Sequence, residues 1–547
     1  MIHLALGTLL WLALLFLARE GRSAPLFFLV ALAALFVWRA PLLSLDMELN
    51  RDESQMIAQA MKFRTDFLPW RSVDGGTGGP LLTYAIMWPY LFGTRVSYAT
   101  ERATELALLF STIFFCWKAC AVLAGERRAL FAVFPLVTLC LFAHKPDFVQ
   151  YCGEDLPVAL LAAGAWLALE LFKQPTPRRA FRLGLLLGAV PFAKLQAGPL
   201  AAYLFLAAAG AVRFRKPLAW LAGGTLCVPA AILVPVAAGG AWTAFVSRYI
   251  LLGARLRYGV NPPSAFSTFA ELLHRGGEVA YFLAGAGLWI LIAALLQKKE
   301  RAWLGGFALA MGYLLVGFFV VTRSSAIFRH YLLFLPVPAT LAACWVWRGR
   351  TLLFAALCVL PVPLAYGAET LYYSFVHRPP GFNGAIVTPH AQYIQAARSG
   401  AFELFRLEPR FNYAGQPLGK VGANAVSRFL LQMAAPGDRM AMWGCMCRCF
   451  GETGMTPATR DAMGGFGLLK DDSYPAVFLA DMKETKPRFF VDSARAEGLN
   501  PESWAPNEVR HADYPPLADY VSENYALVAE VRPETGGERV LIYERKH

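Results

Sequence analysis

The stretch APLFFLVALAALFVWRAPLLSLDMELNRDES, residues 24–54, joins a long apolar run to three adjacent charges. Its first part is long enough to cross roughly 30 Å of hydrocarbon as a helix. Arg51, Asp52 and Glu53 stand side by side where such a helix would leave the membrane. Charges at that point either anchor the end of a span or take part in chemistry at the membrane surface. For an arbitrary membrane protein, the first interpretation is the more common one.

The whole chain shares the apolar character of this stretch. Of its 547 residues, 57% are hydrophobic and 16% are charged, and the mean hydropathy is +0.44. Soluble domains carry about 25% charged residues, so the composition predicts a polytopic membrane protein with some soluble mass. Apolar runs occur at about 2–18, 24–45, 103–124, 129–143, 157–172, 183–212 (two short spans), 218–238, 279–296, 302–321, 331–347 and 351–372.

The net charge of +13 is carried by one set of short loops between these runs. They hold 16 basic residues and three acids, and they are residues 19–23, 125–128, 173–182, 213–217, 297–301 and 348–350. By the positive-inside rule these loops are cytoplasmic, and nucleic-acid binding loses its main support. The other loops then face outward: 46–102, 144–156, 241–278, 322–330 and everything after about 373. We expect about twelve spans with both termini outside, provided that segment 80–93 does not cross.

A soluble domain is predicted after residue 373, where the apolar periodicity ends. The segments 425–435 and 475–485 have the pattern of amphipathic helices. Short strands are predicted at 439–445, 488–493, 525–531 and 539–545. The alternation indicates a small α/β domain, residues 373–547, on the outer face. Its CMCRC motif would place Cys445, Cys447 and Cys449 on one face of a strand and favours a disulfide over a zinc site.

The outward loops concentrate the unusual polar residues. The first, 46–102, holds Asp52 and Glu53, followed by Asp74 and the glycines Gly78 and Gly79 in DGGTGGP, where the backbone must turn or approach another group closely. The second, 144–156, ends in Glu154 and Asp155, which either cap the next helix or belong to a site.

Cations are predicted on the same membrane face. Lys194 lies near the outer turn of the hairpin 183–212, where a lysine either extends to the interface or meets an anion. Further outward cations are Arg329, His330, Arg255 and Arg257. Acids and cations together suit a reaction on a lipid phosphate, because cations stabilise the departing phosphate and a carboxylate accepts a proton from the attacking hydroxyl.

These motifs resemble those of the GT-C membrane glycosyltransferases. The Asp-Glu pair opening the first outer loop, the Gly-Pro-Leu that ends it, AKLQAGP at 193–199 and RHYLLFLPVP at 329–338 are similar to the branch of protein mannosyltransferases and lipid A aminoarabinose transferases. In the C-terminal part, GDRMAMWGC, TPATRD and KPRFFVD are similar to the same branch. The motifs cover most of the chain, although each alone is short.

The resemblance implies a GT-C module over residues 1–372, with loop 46–102 catalytic, in a bacterial inner membrane. It implies a polyprenyl-phosphate-linked sugar as donor, with Asp52 as catalytic base and Glu53 as its neighbour. Aminoarabinose transferases have an acid and a lysine where this chain has Gly78 and Gly79, so the phosphate cations must come from elsewhere. A divalent metal, Mg²⁺ or Mn²⁺, held by Asp52 with Glu154 or Asp155, is left open.

We therefore predict an inverting glycosyltransferase that acts on the extracytoplasmic face. Its acceptor would be a hydroxyl of a glycan, a glycolipid or a protein, bound near Asp74, Gly78 and Gly79. Two alternatives are a lipid-linked glycan transporter or flippase, and a polysaccharide polymerase or ligase of another fold. A transporter predicts ionisable residues at mid-membrane depth and internal repeats, whereas the spans here are nearly free of charge and show no visible repeat.

Overall fold

Long apolar helices make up most of the chain before residue 376. The structure is a computed structural model that describes residues 2–21, 23–45, 48–76, 78–212, 216–253, 264–296, 304–323, 327–346, 351–376, 424–462, 474–494, 510–532 and 538–547. Its helices of ten residues or more before residue 376 are Ile2–Glu20, Ala24–Leu43, Arg51–Phe63, Tyr98–Ala124, Glu126–Phe142, Asp155–Lys173, Pro177–Ala193, Gly198–Val212, Lys216–Ala238, Ala265–Arg275, Gly277–Leu296, Leu304–Thr322, Pro336–Val346 and Pro361–Leu371.

Six helical segments among the described residues are long and apolar enough to cross a membrane. They are Ala24–Leu43, Tyr98–Ala124, Asp155–Lys173, Leu195–Val212, Lys216–Ala238 and Gly277–Leu295. The chain is thus a multi-pass membrane protein, while the predicted total of about twelve spans stays a prediction. Segment 80–93 forms two short helices, Pro80–Ile86 and Trp88–Phe92. Seven helical residues extend only about 10 Å, so neither helix can span the bilayer, in agreement with the expectation that this segment does not cross.

The described residues belong to two compact units. The first comprises residues 1–43, 102–231 and 261–396, and the second comprises 44–101, 232–260 and 397–547. The first outer loop is thus grouped with the C-terminal residues in the second unit. The predicted domain boundary between residues 372 and 373 stays a prediction.

Within the first unit, two helices cross at glycines. A Cβ atom at Gly184 would lie 2.2 Å from the Leu221 carbonyl oxygen, and one at Gly188 would lie 2.3 Å from that of Thr225. Helix Pro177–Ala193 therefore touches the backbone of helix Lys216–Ala238 with no side chain between them. Small residues at such crossings let membrane helices gain close van der Waals contact.

The second unit contains a five-stranded sheet in the order β2-β1-β3-β5-β4. Its strands are β1 Arg439–Trp443, β2 Thr456–Pro457, β3 Phe489–Asp492, β4 Tyr525–Val531 and β5 Val540–Arg545. Strand β1 pairs in parallel with β2 and β3, whereas β5 pairs antiparallel with β3 and β4. The helices of this part are Ala425–Met433, Arg448–Thr453, Tyr474–Thr485 and Pro515–Asn524. The α/β domain predicted from the sequence is therefore present.

One face of this sheet is covered by a helix from the first outer loop. Ala58, in helix Arg51–Phe63, is fully buried in the same apolar cluster as Met442 and Phe450. The Lys62 ammonium donates to the Ala458 carbonyl oxygen at 3.0 Å. Burial lowers the pKa of Lys62, against the attraction of the nearby Asp481 carboxylate. The helix that begins with Arg51, Asp52 and Glu53 is thus part of the hydrophobic core of the α/β domain.

The expectation for the cysteine motif is wrong. Strand β1 ends at Trp443, and helix Arg448–Thr453 follows, with Cys447 at its N-cap position and Cys449 inside it. Both thiols are buried, and all ten cysteines, each within the described residues, are free. The three thiols cannot share a strand face because the chain turns at Gly444, whose φ of +119° favours glycine.

The close helix crossing predicts that a larger side chain destabilises the protein at Gly188 but not at Gly223. Gly188→Leu should lower the apparent midpoint of thermal unfolding in detergent by several degrees, because overpacking costs about 1–3 kcal/mol. The matched control is Gly223→Leu, on the partner helix, where an added Cβ would meet nothing within 4 Å. Equal midpoints for the two variants would contradict the close crossing.

Candidate active site

The first acidic pair begins an amphipathic helix in the second unit. Asn50 is the N-cap of helix Arg51–Phe63, and its side-chain oxygen accepts from the Asp52 backbone N–H at 3.1 Å. Acidic residues in a first helical turn are stabilised by the helix dipole. Asp52 is half-buried in the structure. The helix also forms a buried hydrogen bond of 2.7 Å between the Ser54 and Tyr98 hydroxyl groups.

Glu53 is fully buried, unlike its neighbour. Its Oε2 accepts a hydrogen bond of 2.9 Å from the Leu49 backbone N–H. This bond ties the first turn of the helix to the residue that precedes its N-cap. Glu53 is therefore not a solvent-exposed charge at the helix end. This carboxylate holds the backbone that presents Asp52.

The glycine-rich loop of the same unit is fixed at both ends. Arg248 Nη1 donates a hydrogen bond of 2.9 Å to the Asp74 carboxylate, and both side chains are buried. At the other end, Thr83 donates to the Gln59 side chain at 3.0 Å. A Cβ at Gly75 would lie 2.5 Å from the Gly78 carbonyl oxygen, so the loop is tightly folded. Gly78 and Gly79 directly precede helix Pro80–Ile86.

Asp74 is thus an anchor of this loop through Arg248, a partner that the sequence analysis did not identify. Arg248 lies in the π-helical turn Phe245–Leu251. Such turns are rare in proteins and often lie at functional sites. Arg255 and Arg257, proposed as phosphate ligands, lie outside the described residues.

The second acidic cluster lies in the first unit, where Glu154 meets Lys194. The Lys194 ammonium contacts Glu154 Oε1, and the two side chains are 6% and 0% exposed. Lys194 lies between helices Pro177–Ala193 and Gly198–Val212, at the predicted hairpin turn. Its ammonium also lies 5.3 Å from the centre of the Tyr331 ring. Although Glu154 holds the N-cap position of its helix, its side chain makes no capping hydrogen bond and contacts Lys194 instead.

A second ion pair lies beside the first. Arg329 Nε contacts Asp147 Oδ2 at 2.7 Å, and the Arg329 side chain is 37% exposed. The His330 ring lies between the two acids, with Nδ1 3.7 Å from Asp147 and Nε2 3.9 Å from Glu154. We call Asp147, Glu154, Lys194, Arg329 and His330 the outer ion-pair cluster, after the sequence-based prediction that these loops face outward.

The Asp155 carboxylate makes different contacts from that of the adjacent Glu154. Its Oδ2 accepts from the Cys152 backbone N–H at 2.7 Å, which is a local cap. Asp155 and the buried Arg39 line a cavity of about 50 Å³ whose other walls are mostly apolar. A water needs about 10–15 Å³ of such volume, so the cavity holds a few waters but no polyprenyl chain.

Two buried glutamines that lie close in sequence to Asp147 and Lys194 were missed by the sequence analysis. Gln150 is 1% exposed, and neither its amide nitrogen nor its oxygen has a hydrogen-bond partner among the described residues. Gln196 donates to the Val320 carbonyl oxygen at 3.1 Å, but its own oxygen is buried and similarly unsatisfied in the described part of the chain. Buried polar atoms without a hydrogen-bond partner are uncommon in folded proteins.

His144 joins three helices of the first unit. It follows helix Glu126–Phe142, and its ring contacts Glu278, at the start of helix Gly277–Leu296. Its other ring nitrogen lies 2.8 Å from Glu369. Burial lowers the pKa of His144, but the two carboxylates outweigh this effect and raise it to about 9. The imidazole is therefore charged at neutral pH and links the ends of these helices.

No described residues are arranged as a metal site. Among them, no group of three or more His, Cys, Asp or Glu side chains could hold an ion. Glu154 is engaged by Lys194, and Asp155 by a backbone N–H. The divalent metal stays a prediction from the resemblance, and no step below depends on it.

Comparison with solved structures identifies the fold. The chain is similar to ArnT from Cupriavidus metallidurans in the apo state, with 15% identity, 95% of this chain and 98% of ArnT covered, and a TM-score of 0.51. For the same protein bound to undecaprenyl phosphate, the identity is 14%, the coverage is equal and the TM-score is 0.52. The Archaeoglobus fulgidus oligosaccharyltransferase tethered with an acceptor peptide is 13% identical, with 85% and 69% of the two chains covered and a TM-score of 0.43.

ArnT, the lipid A aminoarabinose transferase, is a GT-C enzyme. At this identity the likeness establishes the fold of the chain, which is the GT-C fold, as the sequence motifs predicted. No protein-family model matches the chain. No curated protein matches it either.

The charged state of His144 predicts a loss of stability in alkaline solution. Because its folded pKa of about 9 exceeds the ordinary value of 6.5, the stabilisation is complete below pH 6.5 and is lost as the pH rises through 9. At about 1.4 kcal/mol per pKa unit, the loss is of order 3 kcal/mol. The apparent unfolding midpoint should therefore fall between pH 7 and about pH 10.

His144→Gln should remove this alkaline step, because glutamine cannot carry the charge. The control is His274→Gln, since His274 is exposed on helix Ala265–Arg275. An alkaline step of equal size in His144→Gln and in the wild-type protein would contradict the assignment.

Proposed function

We propose that the protein is an inverting membrane glycosyltransferase that uses a polyprenyl-phosphate-linked sugar as donor. The observation that carries the proposal is the buried Lys194, held with Arg329 in the outer ion-pair cluster of a chain with the GT-C fold. Buried charges in membrane helices mark functional sites by default. A lipid phosphate is the ligand that suits these cations, and one ArnT structure of the same fold is bound to undecaprenyl phosphate.

In the proposed reaction, Asp52 is the general base. A hydroxyl of the acceptor attacks the anomeric carbon and gives its proton to the Asp52 carboxylate. The bond from the anomeric carbon to the phosphate oxygen breaks, and its electron pair stays with the phosphate. Lys194 and Arg329 stabilise the charge that develops there. One displacement inverts the anomeric configuration.

The remaining residues have supporting functions in this proposal. Glu53 fixes the start of the helix that presents Asp52. The loop held by Asp74 and containing Gly78 and Gly79 shapes the acceptor site. The acceptor is a glycan, a glycolipid or a protein, and the reaction takes place on the extracytoplasmic face of a bacterial inner membrane. The charge distribution of the loops supports that orientation. The GT-C fold argues against a polymerase or ligase of another fold.

Substitution of the base tests the chemical step. Asp52→Asn should reduce turnover of an undecaprenyl-phosphate sugar at least a hundredfold, because general-base catalysis contributes about 10²–10⁴. Release of undecaprenyl phosphate by purified protein in nanodiscs, with envelope lipids and glycans as acceptors, measures it. The control is Asp66→Asn, since Asp66 pairs with Arg71 at the surface of the same unit. Near-wild-type turnover of Asp52→Asn would overturn the assignment.

Substitution of the buried lysine tests the phosphate site. Lys194→Gln should weaken the binding of undecaprenyl phosphate by about ten- to a hundredfold, because a charged hydrogen bond contributes about 1.5–3 kcal/mol. Fluorescence or calorimetric titration of detergent-solubilised protein gives the dissociation constant. Lys173→Gln is the control, since Lys173 is exposed at the end of helix Asp155–Lys173. Equal affinities of the two variants would refute a phosphate site at Lys194.

A further inference from the structure

The proposed phosphate cations are already paired with carboxylates from a single loop. Glu154 engages Lys194 with both side chains buried, and Asp147 engages Arg329 at 2.7 Å. Both acids belong to the segment 144–156. A site built only to attract phosphate would leave its cations without carboxylate partners, since each carboxylate repels the ligand. The two acids therefore require an explanation of their own.

The outer ion-pair cluster is close to electrically balanced. It contains two cations and two carboxylates, and the His330 ring lies within 4 Å of both acids. Glu154 is fully buried, so its charge is weakly screened and acts strongly on any anion beside Lys194. Such a cluster tolerates one added negative charge better than two.

The proposed reaction increases the negative charge of the bound phosphate. The donor is a phosphodiester and carries one negative charge. When the bond from the anomeric carbon to the phosphate oxygen breaks, the phosphate keeps the electron pair and becomes a monoester. A phosphate monoester carries about −1.5 to −2 at neutral pH. The product thus brings additional negative charge to the same cations and the same two carboxylates.

We infer that Glu154 and Asp147 are specificity-determining residues that make the site favour the phosphodiester donor over the phosphomonoester product. This inference rests on the proposed function. The acids hold Lys194 and Arg329 in place in the absence of ligand. After transfer they repel the additional charge and promote release of the polyprenyl phosphate. Product release limits the rate of many enzymes, so we expect this repulsion to raise the turnover number.

Direct binding of two lipids measures this preference without knowledge of the sugar. The probes are undecaprenyl phosphate, a monoester, and undecaprenyl methyl phosphate, a diester, each titrated into full-length protein in nanodiscs. In Glu154→Gln and in Asp147→Asn, the monoester should bind about tenfold more tightly relative to the diester than in the wild-type protein, because one close repulsive charge is removed. Glu126→Gln, at an exposed acid in the same unit, should leave the ratio unchanged.

Kinetics provide a second measurement on any sugar donor that the wild-type protein turns over. The acid variants should show stronger inhibition by undecaprenyl phosphate, and their multiple-turnover rate should fall by a larger factor than their single-turnover rate, because product release slows more than chemistry. Loss of structure would lower both rates together.

The results distinguish a failure of this inference from a failure of the proposed function. If Glu154→Gln does not fold, Asp147→Asn decides, because its partner Arg329 is 37% exposed and is not left buried without a counter-charge. An unchanged ratio of the two affinities in folded Asp147→Asn, or a shift toward the diester, overturns the inference. If Lys194→Gln also fails to weaken binding of either lipid, the proposed function itself is refuted.

Discussion

A charge inside an apolar helical bundle needs an opposite charge nearby, because desolvation of an unpaired ion costs several kcal/mol. This requirement organises the first unit of the protein. Lys194 meets Glu154, and His144 meets Glu278. Each pair joins residues from different helices or loops, so the position of one charge fixes the backbone that carries its partner. The polar residues of the outer loops are therefore held by the same contacts that define the proposed site.

The proposed catalytic groups belong to the two different compact units of the protein. Asp52 lies on a helix that is embedded in the core of the α/β domain through Ala58. Lys194 and Arg329 belong to the bundle of apolar helices. The base and the phosphate cations are thus supported by separate hydrophobic cores.

Local features of the fold could be predicted from the sequence. Apolar runs and alternating patterns predicted the membrane character, the hairpin turn at Lys194 and four of the five strands of the C-terminal domain, but not the two-residue strand β2. These signals depend on neighbours in the chain. The helix Arg448–Thr453 was missed because its glycine and cysteine content has no helical periodicity. The CMCRC motif was misassigned to a strand for the same reason.

The candidate site could be predicted only as a set of residue types on one membrane face. Pairs such as Asp74 with Arg248, separated by 174 positions, leave no trace in a single sequence. The pairing of Glu154 with Lys194 is equally hidden, and without it Glu154 looks like an ordinary helix cap. Which of two adjacent acids is accessible is also a tertiary property, since Asp52 is half-buried and Glu53 fully buried.

The packing of helix Arg51–Phe63 onto the sheet has a consequence for protein engineering. A fragment that begins after residue 423 would expose the apolar surface that Ala58 covers, and would aggregate. A chimera that exchanges only the C-terminal sequence would place a foreign surface against a native helix. Residues 44–101 should therefore be exchanged together with the C-terminal domain in any graft between proteins of this fold.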